Sequence, residues 1–86
     1  MIHELKTLPE YWDAVNSGAK TFEVRKNDRD FKVGDSLKLL RFAKNPMTGA
    51  WRVNQRKAIS RRITYILTGG QFGIEPGYVV MGLGEV

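Results

Sequence analysis

The run Ile59-Ser60-Arg61-Arg62-Ile63-Thr64-Tyr65-Ile66-Leu67 is the longest stretch with strand character in this sequence. Ile59, Ile63, Tyr65 and Leu67 share one parity, together with Arg61, while Arg62, Thr64 and Ile66 share the other. Side chains alternate across a strand, so a run that is apolar on both parities belongs inside a sheet and not at its edge. The rest of the chain supplies partners. Tyr78 to Leu83 is apolar on both parities and predicts a final buried strand. Leu37 and Leu39 alternate, and then Leu40 and Phe42 do so on the opposite parity, which predicts a β-bulge. Between these runs, Ala43–Ala50 carries the turn signals Asn45-Pro46 and Thr48-Gly49, so a hairpin is expected that returns through Trp51–Lys57. Thr68–Gly73 holds three glycines without a following Gly-Lys-Ser/Thr, which predicts positive φ or close backbone approach and not a phosphate loop.

Ile2–Lys6 reads as a first strand of poor alternation. Thr7-Leu8-Pro9-Glu10 has the form of a capping box, with Thr7 as the N-cap and Pro9 in the first turn. Leu8, Tyr11, Trp12 and Val15 fall at helical spacing, and Gly18 ends the helix. Tyr11 and Trp12 read as core packing, with base stacking as the alternative.

The chain's 86 residues are expected to form one domain, 1–86, with a modest core. No cysteine is available for disulfides or thiol chemistry, and one histidine, His3, does not make a structural zinc site, so no metal and no cofactor are expected. No apolar run approaches the ~20 residues needed to span a bilayer, and the expectation is a soluble cytoplasmic protein without membrane contact. Thirteen of the fourteen Lys and Arg residues lie between Lys20 and Arg62, and Ser36–Ile74 contains no acidic residue. A net charge of +5 distributed this way points to a basic face and a polyanionic partner.

The candidate site lies in Ser17–Asp35, SGAKTFEVRKNDRDFKVGD. Lys20–Arg25 alternates with period two, placing Phe22 and Val24 on a core-facing side and Glu23 and Arg25 on a shared surface. Lys20, Glu23 and Arg25 therefore can line a small polar pocket, with a solvated Glu–Arg pair as the bland alternative. Lys26–Asp30 reads as an exposed loop in which Asn27 and Asp28 supply turn chemistry and Arg29 joins Arg25 at the pocket rim.

Gly18-x-Lys20-x-x-Glu23-x-Arg25 resembles the G-x-K-x-x-E-x-R signature of ASCH domains, small β-barrels related to the PUA RNA-binding fold. His3-Glu4-Leu5-Lys6, Arg61-Arg62-Ile63-Thr64-Tyr65-Ile66-Leu67 and Gly77-Tyr78-Val79-Val80 extend the likeness to an uncharacterised bacterial and phage subgroup, DUF3850-like, over nearly the whole chain. The resemblance implies an α+β, mainly β fold: a PUA-like barrel of five to six strands with one main helix after the first.

Charge and resemblance together lead to an RNA- or nucleotide-binding module. Lys20, Glu23, Arg25 and Arg29 would form its pocket, with Glu23 accepting from a base edge. Arg41, Trp51, Arg52, Arg56 and Arg61 would form its nucleic-acid face. A second reading is a small amidohydrolase acting on acetylated cytidine, as some ASCH proteins do. Lys20 matches the lysine of that machinery. The position three residues on, a threonine there, is Glu23 here, and Glu75 is a candidate for the distal glutamate. A third reading is a protein-interaction regulator of phage or bacterial origin.

Overall fold

A computed structural model describes residues 1–86. It is mainly β: β1 (Ile2–Thr7), β2 (Phe22–Lys26), β3 (Ser36–Lys44), β4 (Trp51–Thr68) and β5 (Tyr78–Gly84), with one helix, α1 (Pro9–Ser17), after β1. The five strands form one sheet in the order β1-β3-β4-β5-β2. β1 runs parallel to β3, and every other pair is antiparallel. The core is Leu5, Trp12, Val15, Phe31, Leu37, Leu39, Ile63, Val79 and Met81, drawn from the helix, from every strand except β2 and, for Phe31, from the β2–β3 connection. Burying each such side chain stabilises by roughly 1.5–3 kcal/mol.

The expected barrel is not closed. β1 and β2 are the sheet's two edges and share no ladder. Two arginines reach β1 instead: from β2, Arg25 Nη2 donates to Lys6 O at 3.0 Å, and from the loop after β2, Arg29 Nη1 donates to Glu4 O at 2.6 Å. Guanidinium groups here satisfy edge carbonyls that a neighbouring strand would otherwise take.

The helix begins differently from the capping-box expectation. Leu8 is the N-cap and no side chain caps the helix, while Pro9 does stand in the first turn. Thr7 belongs to β1, where its buried hydroxyl donates to Leu5 O. Trp12 and Val15 are buried, and the Trp12 indole donates to Leu39 O at 3.0 Å, which fixes α1 against β3. Leu8 and Tyr11 are left half exposed. Gly18 closes the helix at φ 86°, a left-handed cap that suits glycine.

Two irregularities bend the sheet. Leu40 pairs with Ala58 but Arg41 pairs with Asn54, so β4 carries three residues, Gln55, Arg56 and Lys57, without partners on β3. The parity change at Leu40 marked this place correctly, although the extra residues sit on the opposite strand. Beyond the bulge, Arg41–Lys44 and Trp51–Asn54 continue as a two-stranded ribbon, and ribbon and bulge together form the β3–β4 arm. Its turn is held by Asn45, whose Oδ1 accepts from Met47 N and Thr48 N. The second irregularity, between Ile63 and Tyr65, reverses the parity of β4: Ile63 is buried, Tyr65 is exposed, and Ile66 packs on the core. The glycine-rich segment does require close approach, since a Cβ on Gly69 would lie 2.0 Å from Glu75 O.

Candidate functional site

β2 alternates as expected but faces the other way. Phe22 and Val24 are 44% and 48% exposed, while Glu23 is 3% exposed. The apolar pair does not enter the core because β2 is an edge strand whose inner face is closed by a charged cluster. Glu23 Oε1 accepts from Lys20 Nζ at 2.8 Å, and Oε2 accepts from Arg25 Nε at 2.9 Å. Arg25 Nη2 also reaches Thr7 Oγ1 at 3.1 Å. A buried carboxylate is tolerated when charged donors meet both of its oxygens, and no buried side-chain polar atom here lacks a partner. Lys20, Glu23 and Arg25 thus converge.

The cluster forms one side of a cleft of about 480 Å³ between α1 and β2. Leu8, Tyr11, Phe22 and Val24 give it apolar walls, and Lys6 and Thr7 enter from β1. The Lys20 ammonium lies 5.1 Å from the ring centroids of both Tyr11 and Phe22, within cation–π range. The Thr7 hydroxyl gives its proton to Leu5 O, and no hydroxyl is hydrogen-bonded to Lys20 or Glu23. Glu75 lies exposed in the β4–β5 loop and does not line the cleft. Arg29 is engaged on Glu4 O.

The remaining expected residues divide between anchored and free. Arg41 makes a two-pronged contact with Asp13, Nε to Oδ1 at 3.0 Å and Nη2 to Oδ2 at 3.2 Å, tying the root of the arm to α1. This pairing holds the Asp13 carboxyl below its usual range and raises the Arg41 guanidinium. Arg61 donates to Ser60 O and Val15 O, the second at the end of α1. Arg52 and Arg56 are exposed and have no acidic partner, as are Lys44 and Lys57 on the same arm. Trp51 is 50% exposed and stacks on Phe42 with centroids 5.3 Å apart and planes at 26°. The Lys6 ammonium sits 5.1 Å from the centroid of the same Phe42 ring.

A further buried polar cluster was not anticipated. His3 Nε2 lies 2.9 Å from Asp35 Oδ2, and His3 packs edge-on against Phe31. The chain's amino group lies 3.3 Å from Asp35 Oδ1. The hydrogen bond from His3, chiefly, holds the Asp35 carboxyl below its usual range against the opposing desolvation, with the amino group and the Lys32 N–H adding to it. An ionised carboxylate only accepts, so His3 Nε2 carries the proton.

These features define a class: a small mainly β protein in which a helix and an edge strand close a cationic cleft beside a basic two-stranded arm. Within it, the chain belongs to the family described as "Domain of unknown function (DUF3850)", whose family model matches residues 2–83. It is also similar to the "Uncharacterized 12.9 kDa protein in GpA 3'region" of Escherichia phage P2, with 42% identity over 48 residues. That stretch is 56% of this chain and 44% of the phage protein, so the chain spans less than half of that relative's length. Both findings agree with the bacterial and phage group that the sequence blocks resemble. No helix is long and apolar enough to cross a membrane.

Proposed function

We propose that this chain is an RNA-binding module of ASCH- or PUA-like descent, one domain acting in the cytoplasm, whose β3–β4 arm holds the RNA backbone. The observation that carries this reading is the arm itself. Lys44 and Arg52 stand on the two-stranded ribbon and Arg56 and Lys57 on the bulge at its root, in a span without any carboxylate, beside a half-exposed Trp51. A cation with no internal partner is available to a phosphate, and each phosphate so neutralised releases counterions from the strand. An aromatic face supported from behind by Phe42 suits base stacking, which tolerates any sequence. The arm thus supplies affinity more than choice of sequence. Binding is favoured over hydrolysis because no hydroxyl is activated by Lys20 or Glu23.

The test is binding of single-stranded RNA at two salt concentrations by wild type and by the double variant Arg52→Ala/Arg56→Ala. Salt-sensitive binding is expected, and the double variant should lower the slope of log affinity against log salt by about 1.4, at ~0.7 per single-strand phosphate. No RNA binding at low salt would sink this reading and turn attention to a protein partner. Release of acetate from acetylated cytidine by wild type but not by Lys20→Ala would replace it with the hydrolase reading.

A further inference from the structure

The cleft between α1 and β2 can be characterised by the hydrogen-bonding groups it has left over. Glu23 is not among them: it is buried, and each oxygen already accepts from a cation. Its role is to anchor Lys20 and Arg25, which corrects the expectation that it meets a base edge. Lys20 has three N–H donors, of which one is on Glu23. Of the five N–H donors of Arg25, those on Nε and Nη2 are engaged, and Nη1 has no protein partner. Lys6 Nζ has no acceptor in the protein and lies over the Phe42 ring. The unsatisfied charge in the cleft is therefore positive. Three cations stand against one carboxylate, and the apolar walls of Leu8, Tyr11, Phe22 and Val24 stand beside them.

A ligand complementary to these groups carries negative acceptors at one end and a flat aromatic face at the other. We propose that the cleft binds a nucleoside phosphomonoester, with the phosphate on Lys20, Arg25 and Lys6 and the nucleoside against Tyr11 and Phe22. A phosphomonoester carries about −1.5 to −2 charges at neutral pH, matching the surplus in the cleft, whereas a diester within a strand carries about −1. The cleft volume of about 480 Å³ falls within the roughly 300–1,000 Å³ of small-molecule sites. The cleft is also continuous with the arm. Lys6 lines it, the Lys6 ammonium lies on Phe42, and Phe42 stacks on Trp51. A strand whose phosphorylated end sits in the cleft can continue over Trp51 along the arm. This inference rests on the RNA-binding reading for the strand, while a free mononucleotide would present the same chemistry.

The experiment titrates the full chain with adenosine, with AMP, and with one short single-stranded RNA bearing hydroxyl or phosphate at either end. Proteins compared are wild type, Lys20→Met, Lys6→Gln and Arg52→Ala/Arg56→Ala. Lys6 is exposed, so its variant keeps the test valid should Lys20→Met not fold. AMP should bind about tenfold more tightly than adenosine, and a terminal phosphate should improve RNA binding by a similar factor. Lys20→Met should abolish both gains and Lys6→Gln should reduce them, whereas the arm variant should weaken every RNA equally and leave AMP unchanged. A gain for AMP without one for end-phosphorylated RNA identifies the free nucleotide as the source. Equal binding of adenosine and AMP together with indifference to the terminal phosphate overturns the proposal, and RNA binding that still depends on the arm would leave the RNA-binding reading standing. AMP binding without RNA binding overturns the arm reading and keeps the cleft as a mononucleotide site.

Discussion

The helix end of the molecule and the β3–β4 arm carry the same kinds of cation in opposite states. At the helix end, Lys20 and Arg25 share Glu23, Arg29 is fixed on Glu4 O, and Arg41 is fixed on Asp13. Along the arm, Lys44, Arg52, Arg56 and Lys57 have no acidic partner, and the sequence from Ser36 to Ile74 offers none. A basic composition thus contains two populations. One is structural, closing the gap between the edge strands β1 and β2 and holding the root of the arm. The other contributes little to the folded state and is free for a partner. Substitution should separate them: stability falls only in the first, whose Lys20 and Arg25 keep spare donors for the cleft ligand, and arm-dependent RNA affinity falls in the second.

The largest effect belongs to Glu23→Gln. The amide keeps one acceptor oxygen but turns an NH₂ donor toward Lys20 or Arg25, leaving a partly buried cation against a donor. Removing one partner of a buried charged group costs about 3–5 kcal/mol, and the partial exposure of Lys20 and Arg25 brings the expectation nearer ~2–4 kcal/mol. Urea unfolding measures it. Arg56→Ala, in the same assay, should stay within about 0.5 kcal/mol of wild type. Equal stability losses in the two variants would erase the distinction between the two populations.

Next comes Trp51→Ala. Loss of a stacking platform should weaken single-stranded RNA binding by about 1–3 kcal/mol, with the salt slope unchanged because no cation is removed. A slope that falls along with affinity would mean that Trp51 positions the arm's cations and is not itself a platform.

How much of this was legible in the sequence follows from what each inference required. The inner half of β4, the final strand, the hairpin and the bulge at Leu40 all came from local parity and turn chemistry, and they are present. The meeting of Lys20, Glu23 and Arg25 was open in the sequence only as one of two readings, because ideal alternation gives Lys20 the parity of Phe22 and Val24 and not that of Glu23 and Arg25. The facing of β2 was not. Apolar patterning sends Phe22 and Val24 inward, and it registers Glu23 as buried only once Thr7 and the β1 edge are known to complete the Arg25 hydrogen bonds. β1 looked irregular for the same reason. Its burial alternates perfectly, but two of its three inward residues, His3 and Thr7, are polar and are satisfied by Asp35 and Arg25, which lie far along the chain. Barrel closure failed as an expectation because it depends on whether two edges meet, and here side chains bridge them. Lys6 as a link between cleft and arm had no signal in the sequence beyond its charge.

The smallest effect, and the one that sharpens the boundary between the two populations, is Asp13→Asn. Asp13 is exposed; Arg41 is its hydrogen-bonded partner at the root of the arm, and Lys57 adds a weaker charge attraction. Its native carboxyl is held below the ordinary carboxylate range, chiefly by the hydrogen bonds from Arg41. A depressed carboxyl contributes stability that is fully present above its unfolded value and is lost as pH falls through the folded one. Asp13→Asn should therefore be slightly less stable than wild type at neutral pH, and the difference should close as acid protonates Asp13 in the native protein. Asp35, depressed by His3 and the amino group, should still drive acid unfolding of the variant, since it is unaffected by the change. The substitution also releases Arg41 from its partner and adds one free cation to the arm. RNA affinity should then rise slightly, with a salt slope steeper by up to ~0.7. A variant that lost stability but gained no slope would place Arg41 permanently in the structural population, with the boundary at the Leu40 bulge lying beyond it. A gain in slope would show that one surface carboxylate is all that separates the two.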